Sequence, residues 1–163
     1  MGNFFNFRCP KDLPPSWTDT PIEHSDSESV IRRDNLCRVT GSSMPNDVAP
    51  VIPLSNANWW RLNGMYLHAR EPQLAVNMRC ADNGILLRRD IRKLWDAGRL
   101  AFVPKGGHWV VHVLVGGLTT ELEEAYHNVE LQPLSNVSRH YLFCRFAMDI
   151  LNKSPFLEQG TPS

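Results

Sequence analysis

Few residues in this chain combine the type and the spacing that chemistry requires. His108 and His112 lie four apart, which on a helix would bring two imidazoles together. The residues around them, Trp109, Val110, Val111, Val113 and Val115, favour a strand instead. Four residues of strand span roughly 13 Å, too far for one metal ion. Glu123 and His127 meet at i,i+4 if their segment is helical, but two such groups on an exposed face are usually a side-chain pair. Arg88 with Arg92, and Arg89 with Lys93, share that spacing and give one helix a basic surface. Such a surface can sit against phosphates, or it can be a solvated face balanced by Asp90 and Asp96; the sequence leaves both open. Asn83, just before Gly84, reads on spacing alone as a turn or helix-entry residue. Cys9, Cys37, Cys80 and Cys144 form no Cys-x-x-Cys pair, so a zinc knuckle has no support. Cys37 and Cys144 read as core. No nucleophile elbow or Gly-rich phosphate loop is present.

The chain around these residues has ordinary globular proportions. It has 163 residues, 42% of them hydrophobic and 21% charged, enough for one domain with a real core. Seventeen basic residues balance seventeen acidic ones, which argues against a protein that coats nucleic acid non-specifically. A local basic patch remains possible on a neutral surface. The opening MGNFFNFRCP lacks a basic segment followed by an apolar run, and Asn6 stands where a myristoylation motif wants Ser or Thr. Reduced thiols and an intracellular setting, nuclear or cytoplasmic, are the expectation. No apolar run approaches the roughly 18 residues of a membrane span, so a membrane partner is not expected.

Three segments follow from composition. Residues 1–28 are rich in Pro, Ser, Asp and Thr and read as an extended arm that Phe4, Phe5, Phe7 and Trp17 could pin down. Residues 29–152 read as the folded domain, and 153–163 as a flexible tail. Within the domain, Leu36–Thr40 is expected as a strand returning through the turn-rich Ser42–Asp47 to Val48–Ile52. Pro50 should make that second strand an edge or an end. Short helices are expected over Ser55–Met65 and Pro72–Cys80, and the clearest helix over Arg88–Ala97, where Ile91, Leu94 and Trp95 share a face. Strands at Leu100–Val103 and His108–Val115 should flank Gly106-Gly107. Helices over Thr120–Tyr126 and, capped by Ser138, up to Leu151 complete an α+β fold. Trp59 and Trp60 read as core, with contact surface as the alternative.

Several blocks in order carry a family resemblance: Cys37-Arg38-Val39-Thr40-Gly41, then Ala49-Pro50-Val51-Ile52-Pro53-Leu54, then Asn83-Gly84-Ile85-Leu86-Leu87 running into Asp90-Ile91-Arg92-Lys93-Leu94-Trp95-Asp96. Together they resemble the HNH endonuclease family, in the form found widely in fungal proteins, over roughly residues 30–152. The resemblance implies an α+β fold with a ββα-metal (His-Me finger) core, additional strands and flanking helices. It also implies hydrolysis of DNA phosphodiester bonds around one divalent metal. In the family one His acts as general base, a middle Asn orients it, and a His on the helix binds the metal. Here Asn83 falls at the middle position, Pro50 at the first His position and Arg92 at the last.

Both replacements remove chemistry. Proline has no side-chain lone pair, so it neither takes a proton nor binds a metal. Arginine stays protonated and is repelled by a divalent cation. The expectation is an HNH-like domain with a degenerate centre and no metal site, retained for binding DNA or RNA through Arg88, Arg89, Arg92 and Lys93, or for binding protein. The alternatives are an active metal-dependent endonuclease with a rearranged site and a purely structural interaction domain.

Overall fold

A computed structural model describes residues 3–12, 27–114 and 120–152. Trp17 and the tail from 153 lie outside them. The elements, in chain order, are α1 (Ser27–Asp34), β1 (Asn46–Pro50), α2 (Ala57–Leu62), β2 (Gly84–Arg88), α3 (Arg89–Asp96), β3 (Leu100–Lys105), β4 (His108–Val113), α4 (Thr120–Tyr126) and α5 (Arg139–Asn152). Short 3-10 turns at Asn3–Asn6, Leu54–Asn56, Met65–His68, Pro72–Leu74 and Ala81–Asn83 fill the connections. The fold is α+β.

The strands pair as two antiparallel ribbons among the described residues, β1 with β2 and β3 with β4. In the first, Asn46 lies opposite Arg88 and Pro50 opposite Gly84. The second closes at Gly106-Gly107, both at positive φ, and carries Pro104 inside β3. α3 follows β2 without a break, and Ile91 and Trp95 turn into the core beside Ala49, Ile85 and Leu87. Trp59 and Trp60 are both buried, so the core reading of that pair holds. Phe4 packs on Trp59 at 4.7 Å between ring centres, while Phe5 is exposed.

The expected hairpin within residues 36–52 does not form. Leu36–Thr40 leads into a turn rather than forming a strand, with the backbone groups of Cys37 taken locally and those of Arg38 by Leu86 and Gln132. The Gly41 amide donates to the Cys37 carbonyl, the Cys37 amide to Ser42, and the Thr40 amide reaches the Cys37 sulfur at 3.3 Å. β1 pairs instead with Gly84–Arg88, a strand that the periodicity of the sequence does not reveal. Its run Ile85-Leu86-Leu87 is buried throughout and shows no alternation, so period 2 gives no signal. The expected helix over Pro72–Cys80 shrinks to the single turn Pro72–Leu74. The other expected helices and the second ribbon stand close to where the sequence places them, while α1 is a helix that the sequence reading did not place.

Pro50 ends β1 at a position that needs no amide. The Leu86 amide donates to Asp34 and its carbonyl accepts from Arg38, so both point away from β1. Pairs alternate along an antiparallel ladder, which puts Pro50 and Gly84 in the same outward phase as Leu86. The Gly84 carbonyl is accordingly taken by the Arg33 guanidinium at 2.7 Å.

Candidate functional site

A cleft of about 360 Å³ opens between the first ribbon, α1 and α3, and Pro50, Asn83 and Arg92 all line it. These positions are far apart in sequence. β1 contributes Pro50 beside Val48, the turn before β2 contributes Asn83, and the first turns of α3 contribute Arg92. Arg79 adds a second guanidinium and Cys80 a thiol.

Asn83 is 2% exposed and its amide is fully engaged. The side-chain nitrogen donates to the carbonyls of Ile52 and Met78, each at 3.1 Å, and the side-chain oxygen accepts the Ile52 amide at 2.8 Å. The Val51 amide donates to the Asn83 carbonyl at 2.9 Å. Asn83 therefore ties the chain leaving β1 to the chain entering β2, across a connection of more than thirty residues. Its position before Gly84 is a turn residue's position, and its side chain holds that turn to the end of β1.

Arg92 is about one-third exposed, 3.4 Å from Asp96 and 4.0 Å from Asp47. Its three neighbours in the expected basic patch divide. Arg88 grips Asp90 through two bonds of 2.8 Å and lies over the Tyr126 ring. That pairing holds the Asp90 carboxyl below its ordinary range. Arg89 pairs with Asp47 at 3.1 Å, and Lys93 is exposed. α3 is thus basic in sequence but largely neutralised in space, with Arg92 the member that faces the cleft.

The donor set of the cleft does not suit a divalent metal of the kind the family implies. The lining presents a proline ring and two guanidiniums, and no imidazole or carboxylate is in it. Burial pushes the Cys80 thiol up to about 11, so it remains protonated and a poor ligand. Among the described residues no group of three or more His, Cys, Asp or Glu side chains is placed to hold a metal ion.

The outlying histidines also resolve. On β4, His112 meets His127 edge to face at 5.0 Å between ring centres, and His127 accepts the Val113 amide through Nδ1 at 3.2 Å. Glu123 and His127 are joined by a backbone bond at the end of α4. His108 pairs with Glu130 at 2.6 Å on the surface.

One group behind the cleft was not singled out from the sequence. Arg145, 2% exposed, donates to the Val51 carbonyl, the Trp95 carbonyl and Asp149, and its guanidinium lies 4.0 Å over the Trp95 ring. Trp95 in turn donates to Asp149 at 3.2 Å. The i,i+4 spacing of Arg145 and Asp149 within an apolar helix was the available signal: a charge on such a face needs a buried partner. This cluster fixes α3 and the exit of β1 against α5.

A two-stranded ribbon followed at once by a helix, with a cleft against them, defines a ββα module. Residues 37–103 match the family model described as HNH endonuclease. The matched span contains β1, β2, α3 and all three cleft positions. No curated protein and no solved structure matches the chain. No helix among the described residues is long and apolar enough to cross a membrane.

Proposed function

We propose that this is a catalytically degenerate HNH-type module that binds nucleic acid through the cleft in which hydrolysis would otherwise occur. The observation that supports the reading is that Pro50, Asn83 and Arg92, the positions at which the resemblance sets the family's base, middle Asn and metal ligand, line one cleft. A phosphodiester is an anion with fixed oxygens, and two guanidiniums at the cleft, Arg79 and Arg92, offer forked donors to it. Direct charge thus takes the place of metal-mediated contact. Arg88 and Arg89 contribute less, since neither lines the cleft as Arg92 does.

Fluorescence anisotropy with a short duplex DNA and a matching RNA at low salt tests this reading. Parent binding should weaken on Arg92→Ala and on Arg79→Ala, and the slope of log affinity against log salt should fall by about one for each phosphate that the variant no longer neutralises. Arg88→Ala should change binding far less. No binding of either nucleic acid by the folded parent would reject the reading. It would favour a protein partner, for which the exposed Leu62, Leu67, Leu74 and Val76, all between β1 and β2, supply an apolar surface.

A further inference from the structure

The first ribbon leaves one of its long edges open onto the cleft. The Leu86 amide and carbonyl are held by Asp34 and Arg38, on the side away from β1. Val48 lies opposite Leu86, so in an antiparallel ladder its own amide and carbonyl face away from β2. No third strand pairs with β1 among the described residues. The path of α1 fixes where that edge points. Asp34, at the end of the helix, reaches the far side of β2, Val30 packs beside Gly84 and Val48, and Ser27 comes one turn earlier still. α3 covers the opposite face of the ribbon through Ile91 and Trp95. The cleft touches Ser27 and Val30 on one helix, Arg92 on the other and Val48 between them, so it runs along the open edge of β1.

Three kinds of group meet there. The Val48 amide and carbonyl offer a donor and an acceptor side by side. Val30, Val48, Leu54 and Met78 give apolar surface, and Arg79 and Arg92 bring positive charge with no carboxylate in the lining. The volume, about 360 Å³, lies at the low end of pockets that enclose a small molecule, a scale that suits one nucleotide.

We propose that the cleft takes a single unpaired nucleotide, with its base against the open β1 edge and the apolar surface around it, and its flanking phosphate on the two guanidiniums. The proposal rests on the reading of the cleft as a nucleic-acid site and narrows it. A base inside a duplex has its hydrogen-bonding edge committed to its partner, so only an unpaired base has a donor and an acceptor to offer Val48. The flat faces of the base suit aliphatic walls, and the phosphate is the anion that a guanidinium fork holds. An extended peptide is the other ligand for an open strand edge, but it needs a run of backbone donors. Pro50, in the same outward phase as Val48, has no donor, so such a ladder would end at Val48.

The test is fluorescence anisotropy of the folded full chain with a labelled short duplex, the same duplex carrying one bulged nucleotide, and the same bulge made abasic, in a DNA set and a matching RNA set. The bulged duplex should bind about ten-fold tighter than the perfect one, the worth of two net hydrogen bonds, and the abasic bulge should fall back to the perfect duplex. A gain in either set supports the proposal and names the sugar that the cleft accepts. Arg92→Ala should weaken perfect and bulged duplexes by the same factor. Val48→Pro removes the donor at a position where the ladder does not use it, and should cancel most of the gain. Its fold is checked by circular dichroism, and the abasic comparison needs no variant. Equal affinity for perfect and bulged duplexes, an abasic bulge that binds as tightly as the complete one, or a folded Val48→Pro that keeps the full gain would each overturn this proposal and leave the phosphate reading of the cleft in place. Absence of binding to all of these nucleic acids would overturn both, and would give the open edge to a peptide.

Discussion

Asn83→Ala would leave the buried Ile52 amide and the carbonyls of Ile52 and Met78 without their side-chain partner. An unsatisfied buried group costs about 1–3 kcal/mol, so the variant should lose roughly 3 kcal/mol of stability in denaturant titrations. A loss below about 1 kcal/mol would show that the amide is not the tie described here. Asp149 makes a second residue-scale prediction. Burial pushes its carboxyl up to about 6, against the downward pull of Arg145 and Trp95 and with Asp96 adding to the rise. A carboxyl raised in the folded state binds its proton more tightly there than in the unfolded chain. Its contribution is therefore full below about pH 4 and is lost as pH rises through about 6. Unfolding free energies of the parent should fall by about 2–3 kcal/mol across that window relative to Asp149→Asn, and parallel curves for the two proteins would contradict the assignment.

At the scale of elements, Gly84 sets how closely α1 approaches the first ribbon. A Cβ built there would lie 2.7 Å from a methyl of Val30 and 3.4 Å from one of Val48. Gly84→Ala should therefore cost about 1–3 kcal/mol by overpacking, and Val30→Ala introduced with it should recover part of that cost. Strictly additive costs in the double variant would show that the contact is not the cause. The same region separates what the sequence could tell from what it could not. The Ile91, Leu94 and Trp95 face announced α3 because an amphipathic helix writes its period into the chain. β2 stayed hidden because it is buried on both faces, and its partner lies beyond a connection that no turn signal joins. The three cleft positions were legible through family resemblance. The neutralisation of Arg89 was not, since Asp47 reaches it only once β1 has found β2.

At the scale of the whole molecule, two systems hold the cleft in shape: the Asn83 amide at its floor and the Arg145–Asp149–Trp95 cluster behind it. Both are built from hydrogen bonds among the chain's own groups. Pro50 sits where its nitrogen faces away from β2, so replacing it should disturb the ladder little. The most direct measurement is cleavage of supercoiled plasmid DNA by the folded parent and by Pro50→His, Arg92→His and the double variant, each with magnesium or manganese. Parent and single variants should leave the DNA intact, because a base without a metal and a metal without a base each leave a large part of the barrier in place. The double variant should nick it in a metal-dependent way. Metal-dependent cleavage by the untouched parent, persisting through repurification and abolished by Asn83→Ala, would contradict the account.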